Sequence, residues 1–135
     1  MQGDQKIGNA IGRLGEDIAC LYLESKKFDI IGRNYRKKWG EIDIIAKKVG
    51  IAHFVEVKTT SGRVKENVTP ETNDRHRAED NLHTNKVKRL KRAISSYLAE
   101  KNFSPETKWI FDAITVRIDS ASKKAQIHML ENVIL

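Results

Sequence analysis

Residues 40–58, GEIDIIAKKVGIAHFVEVK, constrain the fold of this chain more than any other stretch. They read as two apolar strands joined by a tight turn at Val49-Gly50, with Asp43, Glu56 and Lys58 set among aliphatics. Side chains on a strand alternate between faces. Glu41, Asp43 and Ile45 are therefore expected on one face of the first arm, and Phe54, Glu56, Lys58 and Thr60 on one face of the second. If Val49-Gly50 is a two-residue connection, Lys48 pairs with Ile51, Asp43 falls opposite Glu56, and Glu41 falls opposite Lys58. Valine is a poor residue for the positive φ of such a turn. A longer turn with Gly50 left-handed is the alternative, and it would slide the register by a residue or so.

In the two-residue register two carboxylates face each other across a ladder. Like charges so placed destabilise a sheet, and burial would drive one of them to keep its proton. A hard divalent cation relieves this, because Mg²⁺ is usually held by one or two carboxylates plus waters and substrate phosphate. Lys58, two residues beyond Glu56, could orient a water or steady a scissile phosphate. The pattern thus points to metal-assisted phosphodiester hydrolysis. The plainer reading is a cross-strand Glu41–Lys58 ion pair of little worth, with Asp43 satisfying backbone at a strand end.

With 135 residues the chain fits one domain, residues 1–135, able to bury a core without staples. No run approaches the roughly 20 apolar residues of a membrane span, and the first dozen residues lack the apolar core of a secretory signal. A single cysteine, Cys20, suits a reducing compartment, and the cytoplasm is the expected location. The net charge of +7 favours polyanionic partners, nucleic acid first, provided one surface gathers the charge.

Residues 8–27 read as a helix. Ile11, Leu14, Ile18, Leu21 and Tyr22 form one apolar stripe. Gly12, Glu16, Ala19 and Leu23 form a second, whose small residues would let the helix lie close to a sheet and bring Glu16 there. Otherwise Glu16 is simply a solvated helix acid. Phe28–Tyr35 is a first strand. Residues 61–84 are polar and long for a loop in a compact domain, which predicts a mobile segment, disordered or lid-like. Thr84 or Asn85 caps a second helix buried through Val87, Leu90, Ile94, Tyr97 and Leu98. Two strands close the chain, near Lys108–Ile118 and Ala125–Ile134, with IDSASKK as the turn. The order of helix, three strands, loop, helix and two strands is an α/β domain around a small mixed sheet.

Four short stretches carry a resemblance. Gly12–Ala19 (GRLGEDIA), Asn34-Tyr35-Arg36, Gly40–Ala46 (GEIDIIA) and Phe54–Thr59 (FVEVKT) together resemble the uncharacterised bacterial YraN-like family. That family is placed among the PD-(D/E)XK nucleases and is similar to archaeal Holliday junction resolvases. Phe111-Asp112 resembles the Phe-Asp this family carries on the strand after its second helix. The resemblance implies a restriction-endonuclease-like αβββαβ core. It also implies an acidic site in which Asp43 and Glu56 hold Mg²⁺ (Mn²⁺ as a substitute), Lys58 assists the attacking water, and Glu16 helps from the helix. Ile42 stands where the superfamily name has proline, and the loop at 61–84 is longer and more charged than expected of the family.

Lys86, Lys88, Arg89, Lys91 and Arg92 crowd the start of the second helix. They are either phosphate-backbone contacts or a solvated face. Arg33, Arg36, Lys37, Lys38 and Trp39 add charge beside the acidic residues, with an indole that could stack on a base or cover the sheet edge. The four histidines show no metal-ligand spacing. The leading expectation is a Mg²⁺-dependent DNA endonuclease, structure-selective and dimeric by analogy. The rivals are a nucleic-acid-binding module that retains the acidic site without turnover, and a structural protein with scattered solvated lysines.

Overall fold

The computed structural model describes residues 2–64 and 84–135. Its elements are α1 (Gln2–Ser25), β1 (Asp29–Lys37), β2 (Gly40–Lys48), β3 (Ile51–Ser61), α2 (Thr84–Glu100), β4 (Trp109–Asp119) and β5 (Lys124–Leu130). The five strands form one mixed sheet in the order β1-β2-β3-β4-β5. Neighbours are antiparallel except β3 and β4, which run parallel and are connected by way of α2. The expected α/β architecture and element order hold. The segment expected at 61–84 lies outside the described residues for most of its length; at its ends Ser61 closes β3 and Thr84 opens α2. Among the described residues no helix is long and apolar enough to cross a membrane.

Each helix covers one face of the sheet. Ala19, Cys20 and Leu23 of α1 pack with Phe28, Ile44, Ala46, Val55, Ile114, Val116 and Ile118. Leu90, Ala93, Ile94 and Tyr97 of α2 pack with Ile42, Ile45, Ala52, Phe54 and Phe111. Covered on both sides, β2 needs apolar residues at successive positions, which is why Ile44-Ile45-Ala46 is an unbroken run. The expected burial of α1 is corrected. Leu14 and Leu21 are exposed, at 47% and 68%, whereas Ala19 and Leu23 are wholly buried. Ile11, Ile18 and Tyr22 of the apolar stripe do pack, partly buried, against this core, but the most buried side is the small-residue one, because the closest approach occurs at Gly15. A Cβ there would lie 1.9 Å from the Thr59 Oγ1 of β3. At Gly12 a Cβ would meet nothing within 4 Å. The last strand also ends early: β5 stops at Leu130, and the Val133 N–H donates to the Phe111 carbonyl at 2.7 Å.

The β2–β3 turn is the two-residue form. Lys48 pairs with Ile51, and Val49 and Gly50 stand at φ 50° and 76°. A β-branched residue in this region is strained, and Val49, at 90% exposure, gains no burial in return. Val49→Asn is therefore expected to raise stability by about 1 kcal/mol, read from urea denaturation. An unchanged or lower midpoint would show that the turn carries no such strain.

Candidate active site

The predicted hairpin register holds in every pair from Lys48↔Ile51 to Ile44↔Val55, and there the ladder stops. Beyond it, residues 40–42 stay paired with β1 and residues 56–61 stay paired with β4, so the expected Asp43–Glu56 and Glu41–Lys58 ladder pairs do not form. The two strands part like the arms of a Y. A cleft of about 770 Å³ opens between them, lined by Glu41, Asp43, Glu56, Asn85, Lys86 and Arg89 over a floor of Ile42, Val55, Leu90 and Phe111.

The reason for the parting lies at Asp43. Ile44 belongs to the α1-side core and Ile45 to the α2-side core, as alternation requires. Ile42, two residues before Ile44, nevertheless belongs to the α2-side core. Alternation therefore slips at Asp43, and Glu41, Asp43 and Ile45 do not form the single-face row expected from spacing. Asn34 lies between the pairs Arg33↔Ile44 and Tyr35↔Ile42 and takes φ 53°, so β1 accommodates the same slip. Asp43 Oδ2 accepts the Val57 N–H at 2.8 Å, bridging the two strands with a side chain where ladder bonds have ended. Asp43 thus does serve backbone at a strand end, and it does so inside the cleft.

Burial drives the Asp43 carboxyl up to about 6, against the pull of the Val57 N–H; the charges of Glu16, Glu56 and Glu41 raise it further. Glu16 enters from α1, positioned by the Gly15–Thr59 approach, with its side chain 15% exposed. Arg33 steadies it at 3.8 Å while bonding Asp17 at 2.8 Å. Glu56 lies beneath α2, where Lys86 Nζ meets its Oε1 at 2.5 Å. Three of the four expected site acids and bases therefore share one electrostatic neighbourhood. Lys58 is exposed and is not among the residues lining the cleft; it makes no hydrogen bond or ion pair among the described residues.

The basic residues divide. Lys86 and Arg89 line the cleft; Lys88 and Lys91 are exposed on α2. Arg36 lies 3.8 Å from Glu41, a cleft residue, whereas Lys37 is paired with Glu100 at 3.0 Å, and Lys38 is exposed. Trp39 has a structural role. Its indole N–H donates to Ser96 Oγ at 3.0 Å, Arg92 lies 5.0 Å over its ring, and the Arg89 Nε–H donates to its carbonyl at 3.3 Å. These contacts pin the β1–β2 turn to α2. Asn85, expected only as a helix cap, also lines the cleft, and Asp112 of the Phe111-Asp112 pair is wholly buried. The latter takes His53 Nδ1 at 2.7 Å and the Asn132 N–H at 2.9 Å.

A hard divalent ion fits this donor set. Asp43 and Glu56 present carboxylate oxygens to one cleft, the crowding of negative charge already raises Asp43, and an ammonium already rests on Glu56. Among the described residues no three His, Cys, Asp or Glu side chains close a cage. Asp43 and Glu56 are the residues that could hold such an ion, and Mg²⁺ is usually bound by one or two carboxylates with waters completing its shell.

The sequence profile of the uncharacterised protein family UPF0102 matches residues 15–116, which span Glu16, the whole cleft and β4 up to Val116. The chain belongs to that family. A UPF0102 protein of Helicobacter pylori is 35% identical over 124 residues, covering 92% of this chain and 90% of its own. A UPF0102 protein of Campylobacter jejuni subsp. doylei is 46% identical over 85 residues, covering 63% of this chain and 73% of its own. One from Campylobacter lari is 63% identical over 51 residues, and that match spans 46% of the relative's length.

Proposed function

We propose that this UPF0102 chain is a Mg²⁺-dependent endonuclease of the PD-(D/E)XK type, with Mn²⁺ as a working substitute, hydrolysing phosphodiester bonds in DNA. The observation that carries this reading is the cleft itself, which Asp43 and Glu56 line together with Lys86 and Arg89 from the start of α2. Asp43 and Glu56 would hold the ion, whose Lewis acidity toward a phosphodiester is the chemistry it supplies when bound. Glu16 adds negative charge from α1, and Lys58, which makes no hydrogen bond or ion pair among the described residues, would orient the attacking water. Arg89, Lys88 and Arg92 would take backbone phosphates without reading sequence. A structure-selective substrate, a homodimer and a cytoplasmic setting follow from the resemblance to junction resolvases and from the lone cysteine.

The test is cleavage of branched and single-stranded DNA by the purified protein with Mg²⁺. Asp43→Ala and Lys58→Ala are expected to lower the rate at least about a hundredfold while DNA affinity in a gel shift survives. If wild type and both variants behave alike across a broad substrate panel, the enzyme reading is wrong. A second reading, a nucleic-acid-binding module without turnover, draws support from one observation: Lys58 is outside the cleft lining. It predicts salt-dependent DNA affinity with no metal-stimulated cutting.

A further inference from the structure

Lys86 occupies a position that ordinary helix electrostatics disfavours. It is the third residue of α2, at the helix end where the exposed N–H groups already carry positive character and a further cation is unfavourable. The first turn of α2 contains no acid to offset it, and the residues that follow include Lys88, Arg89, Lys91 and Arg92. The compensating charge comes from another element: Glu56 of β3, on the cleft wall. Glu56 in turn has Asp43 as a neighbour whose carboxyl its charge helps to raise. The contact thus relieves two like-charge conflicts at once, a crowd of carboxylates below and a crowd of cations at a helix start above. Both side chains keep a route to water, at 46% exposure for Lys86 and 28% for Glu56, so the pair can open without unfolding anything.

We propose that Lys86 is the built-in counter-ion of the cleft, holding Glu56 in the free protein and released to a substrate phosphate when a divalent cation takes its place. The inference rests on the reading of Asp43 and Glu56 as cation ligands, and it adds what that reading lacks. A single ammonium cannot serve Glu56 and a phosphate equally, so cation and nucleic-acid binding become coupled. The cation frees Lys86 for the phosphate, and a phosphate that draws Lys86 away uncovers Glu56 for the cation. Such coupling is reciprocal by necessity. Arg89, on the same wall but held by the Trp39 carbonyl at 3.3 Å, offers no comparable exchange. Lys86 is in this sense a positioning residue of the cleft.

The experiment measures Mn²⁺ affinity by electron paramagnetic resonance, with and without a short oligothymidylate, for the wild type, Lys86→Gln, Lys86→Arg and Asp43→Asn. Lys86→Gln is expected to bind Mn²⁺ on the order of tenfold more tightly than wild type and to lose the further tightening that oligothymidylate gives the wild type. Lys86→Arg, which keeps the charge, should stay near wild type. If Lys86→Gln and wild type bind Mn²⁺ equally and respond equally to the oligonucleotide, the counter-ion role is refuted while the cation site stands. If no variant binds Mn²⁺ in a way that Asp43→Asn weakens, the underlying reading falls and this inference with it. Thermal melting of each variant confirms that the exposed substitution leaves the fold intact.

Discussion

Gly40→Ala is expected to lower the stability of the protein by about 3 kcal/mol. Gly40 opens β2 and is buried directly beneath α2. A Cβ added there would lie 2.3 Å from the carbonyl oxygen of Arg89, 2.9 Å from its carbonyl carbon and 3.3 Å from the Ala93 side chain. The first two are backbone atoms inside a helix, so no rotamer change relieves the overlap. The whole of α2 has to lift. Lifting it would separate Leu90, Ala93, Ile94 and Tyr97 from the sheet and draw Lys86 off Glu56. Urea denaturation should show the loss, and DNA affinity in a gel shift should fall with it. The control is Gly12→Ala, where a Cβ meets nothing within 4 Å and the helix interior favours alanine by about 1 kcal/mol. Equal effects at Gly40 and Gly12 would mean that the close approach of α2 does not set the stability of the fold.

The second large effect belongs to Asp43. Its carboxyl rises from an ordinary 3.8 to about 6 on folding, so the folded chain holds this proton more firmly than the unfolded one. For an acid raised in this way, the unfolded state releases its proton first as pH increases. Stability is therefore lost as pH climbs from about 4 to about 6 and is not regained above that window. Asp43→Asn removes the penalty while leaving an oxygen to accept the Val57 N–H. In the presence of a chelator the variant is expected to be more stable than wild type by about 2 kcal/mol at pH 7.5, allowing for screening in a cleft open to water. At pH 4 the two should be nearly equal. Added Mg²⁺ should then raise the melting temperature of the wild type and leave the variant almost unmoved, because only the native acidic site gains from the ion. A difference that is the same at both pH values would remove the electrostatic account of the cleft.

These effects explain why a destabilising carboxylate would be kept. The raised Asp43 and the Glu56–Lys86 contact both describe a cleft with more negative charge than its walls can solvate. A fold optimised only for stability would carry an amide or an aliphatic at residue 43. The strain is concentrated where β2 and β3 separate, at a place where the cleft is open to an incoming group.

Strand and helix order could be read from the sequence because each element carries its own period, and the hairpin register followed from the two residues of its turn. That Asp43 and Glu56 come near one another was legible only on the two-residue alternative for that turn, and the ladder itself ends one pair short of them. The inward face of α1 was legible only in part: Ile11, Ile18 and Tyr22 pack against the core as their spacing predicts, but Leu14 and Leu21 do not. Leu14 and Leu21 are the larger residues, but Gly15 decides which side can approach β3, and its partner Thr59 lies more than forty residues away. The end of the ladder at Ile44↔Val55, the slip at Asp43 and the ammonium on Glu56 have no local signature either. Periodicity and turn chemistry act between near neighbours and so are written in the chain itself. The shape and charge balance of the cleft depend on how far apart two strands are held by helices on opposite faces, and only the assembled sheet and its two helices decide that distance.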